Sequence, residues 1–136
     1  MKLKFCVLIG IAWLLSPMSQ MFAHHAFSAE YDGSKTIVVK GVVTKLEWTN
    51  PHVRFYVEVK DDKGAVTNWD LELQSPNSLT RNGGWSRHAL KVGDQVIVSA
   101  YPAKDGSNRA NARGSVMLAD GRKLFAGDAQ GAAPNR

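Results

Sequence analysis

Val53-Arg54-Phe55-Tyr56-Val57-Glu58-Val59-Lys60, the turn Asp61-Asp62-Lys63-Gly64, and then Val66-Thr67-Asn68-Trp69-Asp70-Leu71-Glu72-Leu73 decide the fold. In the first run Val53, Phe55, Val57 and Val59 alternate with Arg54, Tyr56, Glu58 and Lys60, which is the period of a strand with one face in a core. The second run repeats the pattern, with Trp69, Leu71 and Leu73 inward and Asn68, Asp70 and Glu72 outward. Between them Gly64 offers the positive φ that a tight turn requires. Two alternating runs joined in this way form a hairpin.

Upstream, residues 36–46 are rich in Val, Ile and Thr, with Gly41 in the middle. Ile37, Val39 and Val43 share one face, and Val38, Val42 and Leu46 share the other. A strand apolar on both faces is covered on both or curls across a barrel, and Gly41 permits the bend or bulge that curling needs. Downstream, residues 74–84 hold the loop signals Ser75-Pro76-Asn77 and Asn82-Gly83-Gly84. Ser86 is expected to cap a short helix through Leu90, with Gly93 beyond its end. Residues 95–101 and 112–118 are strand-like, residues 105–108 a turn. Asp120-Gly121 is a hairpin signal with a short return at 123–125. The predicted fold is therefore all-β: a small OB-fold-like Greek-key β-barrel with a short helix between strands 3 and 4. A six-stranded sandwich is the alternative. The sequence contains no internal repeat.

Residues 1–23 have the layout of a secretory signal: Lys2 and Lys4, an apolar core at 5–15, then a more polar stretch ending at Ala23. An apolar core of 11 residues is short of the ~20 a membrane helix needs. Cys6, the only cysteine, lies inside that core, so neither a lipid anchor nor a disulfide is expected. Cleavage after Ala23 leaves 113 of the 136 residues and removes two lysines, so 15 basic residues face 12 acidic ones and the net charge falls from +5 to +3. The expected product is a periplasmic protein with one barrel domain over residues 24–126 and a small, polar, fraying tail over 127–136. Its mixed charge lacks the basic stripe of a nucleic-acid binder, and no nucleic-acid partner is expected.

Several separated motifs are distinctive: His24-His25-Ala26-Phe27 after the leader, Trp48-Thr49-Asn50-Pro51-His52, Ser75-Pro76-Asn77, Gly84-Trp85 and Gly106-Ser107-Asn108-Arg109-Ala110. Together they resemble an uncharacterised bacterial family of secreted proteins, the domain of unknown function 6152. The resemblance covers nearly the whole mature chain. It implies a signal peptide followed by one small domain, and it carries over no catalytic residue.

Two kinds of site are expected. The first is metal. After cleavage behind Ala23, His24 presents an amine and a ring nitrogen to one ion, with His25 beside it. A further histidine from the fold, His52 or less favourably His88, completes a three-nitrogen site suited to Cu(II). Known histidine-brace copper proteins use this geometry; the similarity is confined to the terminal residue. Cleavage behind Phe22 puts His25 third, a square-planar copper or nickel motif. Exposed, unliganded histidines are the plain alternative. A structural zinc site lacks its cysteines.

The second is an interaction surface for a glycan or a protein, built from Arg54, Tyr56 and Trp48, with Asn68 and Asp70 beside them. Arg109 and Arg113, in the basic loop 104–113, add an anion site. Here the plain alternatives are core tryptophans and a solvated loop. Asp70 and Glu72 lie about 7 Å apart on one strand face and are expected to be simply exposed. No nucleophile motif, phosphate loop or dinucleotide fingerprint marks an enzyme.

Overall fold

The computed structural model describes residues 27–127. The elements run β1 (Ile37–Glu47), β2 (Arg54–Lys60), β3 (Val66–Glu72), α1 (Pro76–Asn82), β4 (Gln95–Pro102), β5 (Arg109–Leu118) and β6 (Lys123–Gly127). The strands are ordered β3-β2-β1-β4-β5-β6, and β3 also pairs with β5. That last pairing is parallel, whereas the others are antiparallel. It closes five strands into the OB-type barrel and excludes the open sandwich. β6 returns from β5 as a hairpin outside the closed ring.

β1 serves two partners because it bends. Residues 37–42 pair with β4 and residues 42–47 with β2. At the changeover the strands approach so closely that a Cβ on Gly41 would lie 2.2 Å from the Glu58 carbonyl oxygen and 2.8 Å from Val57 Cγ1. Glycine is therefore required here for close backbone approach. The bulge lies further on, between Val43 and Lys45. The inserted residue reverses the alternation, which corrects the two-sided reading of this strand. Leu46 packs against the same core as Val39 and Val43, while Val38 and Val42 are 68% and 39% exposed.

The β2–β3 hairpin forms as its alternation predicts, in register from Arg54↔Glu72 to Lys60↔Val66. Asp61 accepts from the Lys63 and Ala65 amides at 2.9 and 2.8 Å, and Gly64 has φ of 83°. Phe55, Val57 and Leu71 are fully buried with Val43, Val98 and Val116 in the barrel core. Burial of each such side chain contributes roughly 1.5–3 kcal/mol.

A short helix does link β3 to β4, but at α1 and not at residues 86–90. The Ser75 side chain accepts from the Ser78 amide at 3.3 Å, Pro76 takes the first turn, and Leu79 is buried. Pro-Asn after a serine is helix-start chemistry, which the loop reading of 74–84 passed over. Residues 86–90 form turns and bends, and Leu90 and the preceding Trp85 are buried. The Trp85 indole donates to the Phe125 carbonyl at 2.7 Å and so pins this link to β6.

A helical turn at residues 27–30 leads into Tyr31, which bridges to Ala103. Phe27, Tyr31 and Tyr101 pack together with ring centroids 5.4–5.7 Å apart. Among the described residues no helix is long and apolar enough to cross a membrane.

Candidate functional site

The outer face of the closed half of the barrel carries two rows of polar side chains, each running across four strands in register. One row is Glu47, Arg54, Glu72 and Asn111; the other is Lys45, Tyr56, Asp70 and Arg109. The rows exist because the hairpin's outward positions face one another and because the closing pair sets β5 beside β3.

Side chains bond within and between the rows. Arg54 donates from one nitrogen to Asp70 Oδ2 at 2.7 Å and from the other to Glu72 Oε2 at 2.9 Å. Glu72 also takes Tyr31 OH at 3.2 Å, Asn111 Nδ2 at 3.3 Å and His52 Nδ1 at 3.1 Å. One carboxylate thus ties together the N-terminal segment, the β1–β2 loop, β2 and β5. At the other end Tyr56 OH donates to Glu47 at 3.0 Å, and Lys45 Nζ lies 5.2 Å from the Tyr56 ring centroid. Arg109 pairs with Glu30 at 2.8 Å.

The electrostatics follow from this wiring. Burial pushes the Glu72 carboxyl up, but the bonds from His52 and Arg54 outweigh it and hold the group at about 2. The Glu72 bond raises His52 against the opposing effect of burial. Desolvation raises Asp70 despite Arg54 and Arg109 nearby. Burial, then the Glu72 charge, pushes the Tyr31 phenol up to about 12. The six formal charges of the rows, Lys45, Arg54, Arg109, Glu47, Asp70 and Glu72, cancel.

The structure brings together five of the residues singled out from sequence: His52, Arg54, Tyr56, Asp70 and Arg109. Trp48 is set apart from them, packed against the barrel core. Arg113, four residues beyond Arg109 in β5, pairs by its backbone with Ser99 of β4. Asp70 and Glu72 are not simply exposed acids; both are ion-paired and partly buried. His24 and His25 lie outside the described residues. His88 sits exposed in the turn after Ser86, its amide bonded to Ser86 Oγ at 3.2 Å. Among the described residues no group of three or more His, Cys, Asp or Glu side chains is arranged to hold a metal ion.

The role of Glu72 was not picked out from sequence, nor were Tyr31, Glu30 and Asn111 at all. The hairpin register, which sets Glu72 opposite Arg54, was the one signal able to reveal the first. The others reach the site only through chain closure.

Among the described residues, cavities flank the barrel at two places. One of about 580 Å³ lies beside the β1 bend, lined by Lys40, Val42, Glu58, Lys60, Gln95 and Ile97 among others, and contains no member of the rows. The other, of about 510 Å³, is lined by Ala29, Glu30, Lys104, Asp105 and Arg109. It adjoins the rows at Arg109.

Residues 12–112 match the model of a family described as a family of unknown function, DUF6152. The chain belongs to this family. Every residue of the two rows lies within the matched span of this DUF6152 chain, whereas β6 lies beyond it. No curated protein and no solved structure matches the chain.

Proposed function

We propose that the chain is a periplasmic binding or accessory protein that engages a glycan or a protein through the in-register rows of its closed face. The observation that carries this reading is the location of a rigid, self-bonded polar network on the strand 2–3 face and beside the β1–β2 and β4–β5 loops. OB-type barrels bind their ligands there. Burying polar groups is costly unless they are paired, and the partly buried Arg54, Asp70 and Glu72 of this face are paired with one another. The leader at residues 1–23 supports the periplasmic location. The test is photocrosslinking in intact cells, with p-benzoylphenylalanine in place of Tyr56 or, on the opposite face, of Ile97. Adducts specific to position 56 are expected. Adducts only at position 97, or equally at both, refute the reading.

A specific contact favours a second reading, copper binding through the N-terminal histidine. Histidines that ligate metals commonly donate their other ring nitrogen to a carboxylate, and His52 gives Nδ1 to Glu72. That leaves Nε2 for a metal. His24 is three residues from the packed Phe27, a reach of about 10 Å in extended chain. Intact mass of protein recovered from the periplasm, with and without one equivalent of Cu(II), tests it. The reading expects a cut after Ala23 and one copper retained against free histidine, lost in His52→Ala. Another terminus or no retained copper rejects it.

A further inference from the structure

We propose that the cavity between the 27–30 turn and the β4–β5 loop takes a neutral, hydroxyl-rich ligand, a sugar, with Asp70 and Arg109 as its recognition pair. This rests on the reading of the closed face as a binding face, and it names the ligand class.

Asp70 and Arg109 are register partners on the parallel strands β3 and β5. Among the described residues, Asp70 Oδ1 and Arg109 Nε are buried side-chain atoms without a hydrogen-bond partner. Their neighbouring atoms are committed elsewhere: Asp70 Oδ2 to Arg54 and an Arg109 terminal nitrogen to Glu30. An unmatched acceptor and an unmatched donor therefore stand at one register position of neighbouring strands, not bonded to each other, with the Tyr31 hydroxyl also near the Arg109 side chain. A carboxylate or phosphate oxygen only accepts, and an ammonium only donates. A hydroxyl does both at one oxygen and complements the two together.

The cavity agrees with this chemistry. Its charged lining is Glu30, Lys104, Asp105 and Arg109, two acids and two bases, so it has no net charge to attract an anion or a metal ion. Each of the four still offers a charge-assisted bond to a hydroxyl. The volume of about 510 Å³ lies in the range of small-ligand sites.

The two walls are joined by polar contacts that a ligand can exchange. Lys104 Nζ donates to the Ser28 carbonyl at 2.6 Å, and Arg109 holds Glu30 at 2.8 Å. Glu30 is half exposed, and an exposed ion pair contributes little to stability. Asp70 stands behind Arg109 as its register partner and is not itself part of the cavity lining, so the pairing requires Arg109 to turn from Glu30 and open a path for one hydroxyl to both.

The experiment is an NMR titration of the ¹⁵N-labelled full chain, expressed with its own leader, with maltotriose, cellotriose and chitotriose in turn. At least one sugar is expected to shift the amides of residues 28–31, 70 and 104–111. Arg109→Lys keeps the charge but removes Nε, and it should weaken that sugar about tenfold or more, as loss of a charged hydrogen bond does. No shift with any of the three, or shifts confined to the cavity at the β1 bend, overturns the proposal without reference to a variant. If position 56 meanwhile crosslinks to a protein, the sugar assignment falls while the binding-face reading stands.

Discussion

The two outer faces of this barrel are built on the same core and ordered by different forces. On the closed face, over the second half of β1, β2, β3 and the start of β5, polar side chains stand in register and bond to one another. On the other face, over the first half of β1, β4, the end of β5 and β6, the outward residues Val38, Ile97, Met117 and Phe125 are apolar and exposed. The first face depends on directional bonds that fail when one partner is lost. The second makes few demands on its residues, because a surface apolar side chain already half in water has little left to lose. Gly41 is the hinge between the two, where β1 leaves β4 for β2.

The largest way to break the contrast is at that hinge. Gly41→Ala puts a methyl 2.2 Å from the Glu58 carbonyl. It should cost about 3 kcal/mol, the upper end for overpacking, measured by urea denaturation. A stability equal to wild type shows that the faces do not depend on this close approach.

Next is Glu72→Gln, which removes the charge that four donors share. A loss of about 2–3 kcal/mol is expected at neutral pH. The pH dependence sharpens the test. With its carboxyl held at about 2 against an ordinary 4.5, Glu72 stabilises the native state above the ordinary value and loses that contribution as pH falls toward 2. His52 is raised, so its contribution is complete below its ordinary 6.5 and fades as pH rises through the raised value. Asp70 is also raised, which favours the folded state as pH falls and partly offsets the acid loss. Thermal melts across pH should show the variant flattened on both limbs. A profile parallel to wild type means that Glu72 is not the hub.

A smaller effect is expected at the edge of the apolar face. Trp85→Phe keeps the packing and removes the indole bond to Phe125, for a loss of about 1 kcal/mol, together with faster amide exchange in β6. Smallest of all is Val38→Thr, within about 0.5 kcal/mol of wild type by the same denaturation. A larger loss there shows that the exposed apolar face is covered in solution.

The hairpin was fully legible in the sequence, since residues 53–60 and 68–73 repeat a period-2 choice and Gly64 marks the turn. The helix was placed one loop late because Asn82-Gly83-Gly84 masked the cap at Ser75-Pro76. The bulge in β1 was invisible, since no glycine or proline marks the step from Val43 through Thr44 to Lys45. Of the site, Arg54, Tyr56, His52 and Arg109 were visible as polar residues on outward or loop positions. Trp48 was an outward candidate that the chain uses in packing. Tyr31 and Asn111 carried no signal, because their roles depend on partners 41 and 39 residues distant.

Alternation and turn chemistry are local properties, written in residues a few positions apart, and from them the sequence determined the strands and the barrel class. The closure of β3 on β5, the rows that closure aligns and the use of one carboxylate as a common acceptor belong to the tertiary structure alone. They are long-range choices, settled by which distant strands the core brings side by side, and no local pattern encodes which outward residue meets which.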